Sequence, residues 1–164
     1  MSINAYKPHL LVLPEDDANR EMANGFLLDS RVLMCNMQVL PPAGGWKKAL
    51  DSLQSKHAQG FLKYPERRLL LLIDFDDEVS ARQAYVRDHV PATMRHRVFV
   101  LGVCSEPERF RAACNQKLEA IGETLAKECA ESRQDLWAHA LLMHNEAELV
   151  RLATDVKPFL FQSN

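Results

Sequence analysis

The stretch Leu69–Leu70–Leu71–Leu72–Ile73 runs without a polar interruption into Asp74–Phe75–Asp76–Asp77–Glu78. An unbroken aliphatic run of this length is the pattern of a strand buried on both faces, as in the interior of a parallel α/β sheet. Ligands of open parallel sheets bind just beyond the carboxyl ends of the strands, and the acidic cluster falls there. Asp74 and Asp76 can both reach one ion if the chain curls. Crowded carboxylates raise one another's pKa, so a divalent cation is their natural counter-charge.

Three further apolar runs read as strands: His9–Leu13, stopped by Pro14; Met37–Leu40, stopped by Pro41–Pro42; and Val98–Val103, stopped by Ser105–Glu106–Pro107. Helical periodicity fills the intervals. Ala18 to Leu28 places Met22 and Phe26 on one face, with Asp16 or Asp17 as N-cap and Gly25 as a site of close packing against the sheet. Trp46, Ala49, Leu50 and Leu53 share a face after the Gly44–Gly45 turn. A weakly amphipathic helix follows Glu78 through Arg87. Glu108 to Ala130 reads as one or two helices, and Leu136 to Ala153 as a final one ahead of Pro158–Phe161. Strands alternating with helices predict an α/β fold with a mostly parallel sheet of four strands or slightly more. The core spans about 9–125, with a helical C-terminal extension over about 126–164.

At 164 residues and a net charge of −2, the chain reads as one domain over 1–164, able to bury about 68–70% of its unfolded surface. Neither disorder nor a globally basic nucleic-acid binder fits this balance. Cys35, Cys104, Cys114 and Cys129 form no C-x-x-C pair, so reduced, buried thiols are expected. No apolar stretch approaches the ~18 residues of a membrane span, and Met1–Pro8 has no signal-peptide pattern. A cytoplasmic protein without membrane association is therefore expected.

Two strand ends carry acids: Glu15, Asp16 and Asp17 after the first, and Asp74, Asp76 and Asp77 after the third. In a βαβαβ unit these strands can be neighbours, and their ends then converge on one crevice. Mg²⁺ or Mn²⁺ suits such an oxygen-rich site, and phosphoryl transfer or phosphodiester cleavage is the chemistry that uses it. On these residues the chain resembles the TOPRIM domain of topoisomerases, primases and overcoming-lysogenization-defect nucleases. That pattern has a glutamate after the first strand, matched by Glu15, and a D-x-D after the third, matched by Asp74–Phe75–Asp76. Gly44–Gly45 matches a glycine turn after the second strand, and Leu118–Glu119 an L-E pair opening a later helix. Pro14 and Asp16 depart from the usual glycine beside the glutamate.

The resemblance implies Asp74 and Asp76 as metal ligands, Glu15 as a ligand or general acid/base, and Glu119 as a ligand of a second metal. It also implies a Rossmann-like fold, a nucleic-acid substrate, a protein partner or homo-oligomer, and a place in phage or mobile-element defence. Phosphates need cations. The candidates are Lys47 and Lys48 beside Gly44 and Gly45, whose amides could cradle a phosphate, and Arg95 and Arg97. Arg82 and Arg87 read as a solvated helix face, and Asp77 and Glu78 either stand behind the ligands or charge a helix start. Two alternatives stay open. One is a receiver-like phospho-acceptor domain, suggested by Lys157–Pro158. The other is a non-catalytic scaffold with the same fold, its acidic rim free of metal.

Overall fold

The computed structural model describes residues 2–163. Its sheet has the order β2-β1-β3-β4 and is parallel throughout. Strand β1 is His9–Pro14, β2 Met37–Val39, β3 Arg67–Leu72 and β4 Val98–Leu101. β1 and β3 are direct neighbours, with Leu11 opposite Leu69 and Leu13 opposite Leu71. Successive side chains of a strand point to opposite faces, so each central strand feeds two cores. Leu11, Leu13, Leu69, Leu71 and Ile73 pack with Ala49, Leu50, Phe61 and Val86 on one side. Leu10, Val12, Leu70, Phe99 and Leu101 pack with Met22, Ile121 and Trp137 on the other. This double burial is why the strands read as continuous apolar runs.

Helix α1 is Asp17–Phe26, α2 Trp46–Ser52, α3 Ala58–Lys63, α4 Val79–His89, α5 Pro107–Cys114, α6 Leu118–Glu131, α7 Glu146–Asp155 and α8 Lys157–Leu160. A π-helical stretch, Leu53–His57, joins α2 to α3. Asp16 caps α1 through the Asn19 amide at 2.9 Å. The helical pattern of 108–130 resolves into two helices, broken where Asn115 takes a left-handed φ of 51°. Gly25 packs against α6 rather than against the sheet. A Cβ there would lie 2.0 Å from the Glu119 carbonyl oxygen, and one on Gly122 2.0 Å from that of Met22.

The expected helix over 136–153 is shorter, and the boundary at residue 125 cuts through α6. Only Glu146–Asp155 is α-helical. Before it, the Glu128 carboxylate accepts the N–H groups of Leu136 and Trp137, and the buried Trp137 indole N–H donates to the Leu125 carbonyl. These bonds hold the backbone in a wrapped loop, which no periodicity in the sequence reveals. The following segment seals the outer edge of β4 with side chains. Asn145 Oδ1 accepts the Gly102 N–H and Glu148 Oε2 the Val100 N–H, while Arg151 Nη2 donates to the Val98 carbonyl. The four cysteines are free; Cys114 and Cys129 pack against the core on the α1 and α6 face, whereas Cys35 is exposed and Cys104 half-buried. Among the described residues no helix is long and apolar enough to cross a membrane.

Candidate functional site

Pairing of β1 with β3 brings Glu15 and Asp74 together at the carboxyl edge of the sheet. Glu15 Oε2 accepts the Asp74 main-chain N–H at 2.7 Å. Beyond Leu72, the amides of Ile73 and Phe75 still bond to the Leu101 and Val103 carbonyls. The chain then curls, with Asp76 and Asp77 at φ 51° and 62°. Their amides donate to the Ser105 and Cys104 carbonyls. Aspartate tolerates this left-handed region better than most residues do.

Asp74 Oδ1 accepts from Asn19 Nδ2 at 2.7 Å, and the same nitrogen donates to Asp16 Oδ1 at 2.9 Å. Asp16 thus both caps α1 and stands across one amide from Asp74. Asn19 is fully buried, and its Oδ1 has no partner. Burial pushes the Asp74 carboxyl up to about 7; the Asn19 bond opposes this, and the charges of Asp16, Glu15 and Glu108 add to it. Glu15 is also raised, first by burial, against the pull of the Asp74 N–H; Asp16 raises it further, while Arg82 and the Trp46 amide lower it.

The implied ligands do not all converge. Arg82 Nη1 donates to the Asp74 carbonyl at 2.6 Å, and its Nη2 lies 3.4 Å from Asp76 Oδ2. The Asp76 side chain is 73% exposed and turned to this guanidinium. Arg82 itself is only 12% exposed, so it is no solvated surface residue. Glu119 sits beside Gly25, nine positions along α1 from Asp16, or roughly 13 Å at the rise of a helix. Glu108, at the start of α5, is the further acid that faces Asp74. Among the described residues no three Asp, Glu, His or Cys side chains stand where they could share an ion.

The basic candidates divide in the same way. The Gly44 and Gly45 amides donate to the Glu15 carbonyl at 2.9 and 3.2 Å, so neither is presented to a phosphate. Their positive φ angles, 89° and 151°, shape the turn that brings α2 to Glu15. Lys47 and Lys48 are exposed on the first turn of α2, with Lys47 Nζ 5.4 Å from the Trp46 ring and 5.2 Å from the Tyr85 ring. Arg82 lies over the other part of this cluster, 4.7 Å from Trp46. Arg95 and Arg97, by contrast, precede β4 and lie at the opposite edge of the sheet. Arg97 donates to the carbonyls of Phe61, Tyr64 and Pro65, and Arg95 to that of Val90. Arg97 ties the chain entering β4 to the end of α3 and Arg95 ties it to the end of α4, and neither is a phosphate ligand of this crevice. Lys157 is also at that far edge, where it donates to Ser132 Oγ; it does not face Asp74 as a receiver lysine would.

Asn19 and Glu108 are the site residues that the sequence reading passes over; Asp16 reads as an acid of the first strand end and as a helix cap, which it is, and Arg82 as a solvated helix face, which it is not. Asn19 left a trace, as a polar residue one turn after a cap on an otherwise inward-facing position. The chain matches no known protein family, no characterised protein and no solved structure with which it was compared.

Proposed function

We propose that the crevice between the ends of β1 and β3 binds a divalent cation, Mg²⁺ or Mn²⁺, and that the protein acts on nucleic-acid phosphodiesters, as a TOPRIM-like nuclease or as the metal-binding subunit of a larger defence complex. The observation that carries this reading is the half-buried Asp74 carboxyl, joined to Asp16 through the Asn19 amide and raised to about 7 first by burial and then by the charges of Asp16, Glu15 and Glu108. Concentrated negative charge of this kind is relieved by a cation. The donor set fits a hard ion: Mg²⁺ keeps several waters and takes one or two carboxylates together with substrate phosphates. Asp74 and Asp16 would hold it, with Glu15 and Glu108 behind them and the partnerless Asn19 Oδ1 beside them. A bound cation supplies phosphate polarisation and charge neutralisation.

The chain's own residues do the rest. Asn19 holds Asp74 and Asp16 in register, and Arg82 fixes the Asp74 backbone. A carboxyl that titrates near 7 can accept or give a proton at neutral pH. Lys47 and Lys48 meet phosphates, and Trp46 with Tyr85 offers bases an aromatic surface. The small crevice calls for a partner protein or a second copy to hold a long substrate, and the free thiols suit the cytoplasm.

Calorimetric titration of Mg²⁺ and Mn²⁺ into the wild type and a Glu15→Gln/Asp74→Asn variant tests the site. Binding that the variant abolishes supports it and leads to cleavage assays on plasmid, single-stranded DNA and RNA. Absence of wild-type binding at millimolar metal would sink the proposal and leave the scaffold reading.

A further inference from the structure

On the face of the sheet covered by α1, α6, α7 and α8 lies an apolar cleft of about 280 Å³, partly open to solvent. Leu10, Val12, Leu70 and Leu101 of the sheet floor it, and Leu125 and Trp137 are among its walls. Because the cleft is partly open to solvent, its apolar walls gain from being covered by a ligand chain. Its volume lies close to the lower bound of small-molecule pockets, about 300 Å³.

The charged groups that border the cleft and are free of main-chain duties gather at one end, whereas Asn145 at the other is engaged by Gly102 and Leu142. Ser132, Arg133 and Lys157 border it, at the end of α6 and the start of α8. Arg133 is engaged by Glu131 at 2.9 Å. Lys157 Nζ donates to Ser132 Oγ at 2.7 Å, and among the described residues no carboxylate pairs with it. The one carboxylate in the wall, Glu128, is 2% exposed and already accepts the Leu136 and Trp137 amides. An apolar cleft bordered by an ammonium that no carboxylate among the described residues pairs with has the chemistry of an amphiphile site, because an anion there gains a charge-assisted hydrogen bond.

We propose that this cleft binds an aliphatic carboxylate, its chain among Leu10, Val12, Leu125 and Trp137 and its head on Lys157 and Ser132. None of Glu15, Asp16, Asn19, Asp74 or Glu108 lines this cleft, so it stands or falls independently of the cation proposal.

The test titrates delipidated protein with decanoate and with decanol, read by calorimetry and thermal melting. One equivalent of decanoate binds and raises Tm. Lys157→Met weakens decanoate roughly tenfold or more, the worth of a lost charged hydrogen bond, and leaves decanol little changed. Leu152→Trp, which places an indole in the cleft, abolishes both while far-UV circular dichroism stays constant. As a check that needs no cleft variant, a brominated decanoate quenches Trp137 fluorescence in a Trp46→Phe background. No decanoate binding at millimolar concentration, no effect of Lys157→Met, binding that survives Leu152→Trp, or no quenching of Trp137 each overturns the assignment.

Discussion

Glu15 and Asp74, 59 positions apart in the chain, are joined by a 2.7 Å hydrogen bond from the main-chain amide of one to the carboxylate of the other. The bond locks the ends of β1 and β3 together, so Glu15 has a structural duty beside any chemical one. Glu15→Ala leaves a part-buried N–H without an acceptor and costs about 1–3 kcal/mol. Glu15→Gln keeps an acceptor oxygen and costs less than about 1 kcal/mol by the same reasoning. Urea denaturation of the two variants separates the cases, and equal losses would refute the structural role.

Acidification should stabilise the metal-free protein. The folded Asp74 carboxyl is raised to about 7 from an ordinary value of 3.8, and Glu15 is raised too. The folded state then binds more protons than the unfolded state between those limits, so stability falls as pH rises. The contribution is fully present below about pH 4 and lost as pH climbs through about 7. Thermal melting from pH 5 to 8 in chelator reads this slope, and Asp74→Asn flattens it. Cation affinity runs the other way, rising through pH 7 as Asp74 ionises.

Arg82 is a positioning residue. Arg82→Ala removes two donor contacts and the stack on Trp46, a loss of about 1.5–3 kcal/mol for a charged hydrogen bond. Arg82→Lys does not restore it, because a point ammonium cannot reproduce the planar fork. Denaturation curves of both variants check this, and full recovery by lysine would contradict it.

Gly25→Ala and Gly122→Ala test the contact between α1 and α6. Alanine favours a helix over glycine by about 1 kcal/mol, yet here its Cβ meets backbone at 2.0 Å in both cases. Overpacking costs about 1–3 kcal/mol, and because the neighbour is main chain, net destabilisation is expected. A variant as stable as the wild type would disprove the close contact.

The sheet was legible because β1, β3 and β4 bury side chains on both faces, and the apolar runs stop at Pro14, Pro41 and the Ser105–Pro107 segment. The meeting of Glu15 with Asp74 followed from placing the first and third strands side by side. What escaped reading depended on distant side chains. Arg82 has the spacing of a surface helix residue, and only the turn of Asp76 and the approach of Trp46 show that it is buried. Arg95 and Arg97 look like phosphate ligands until strand direction puts them at the wrong end. The 136–145 segment carries helical periodicity, but Glu128 takes its amides and bends it away. Glu108 joined the acidic group only because α5 starts beside Asp74.

Asn145, Glu148 and Arg151 recur every three residues on one side of the chain leading into and through α7, whereas their partners Gly102, Val100 and Val98 recur every two along the edge of the sheet. Three helical residues advance about 4.5 Å and two strand residues about 6.6 Å, so side-chain length alone reconciles the two rulers. The helix occupies the place of a fifth strand and copies its hydrogen bonding with a different meter. Such a match tolerates a changed side chain at one point but not a shifted frame. A one-residue insertion or deletion between Asn145 and Arg151 throws the edge out of step, where the same change in an ordinary connecting loop is absorbed.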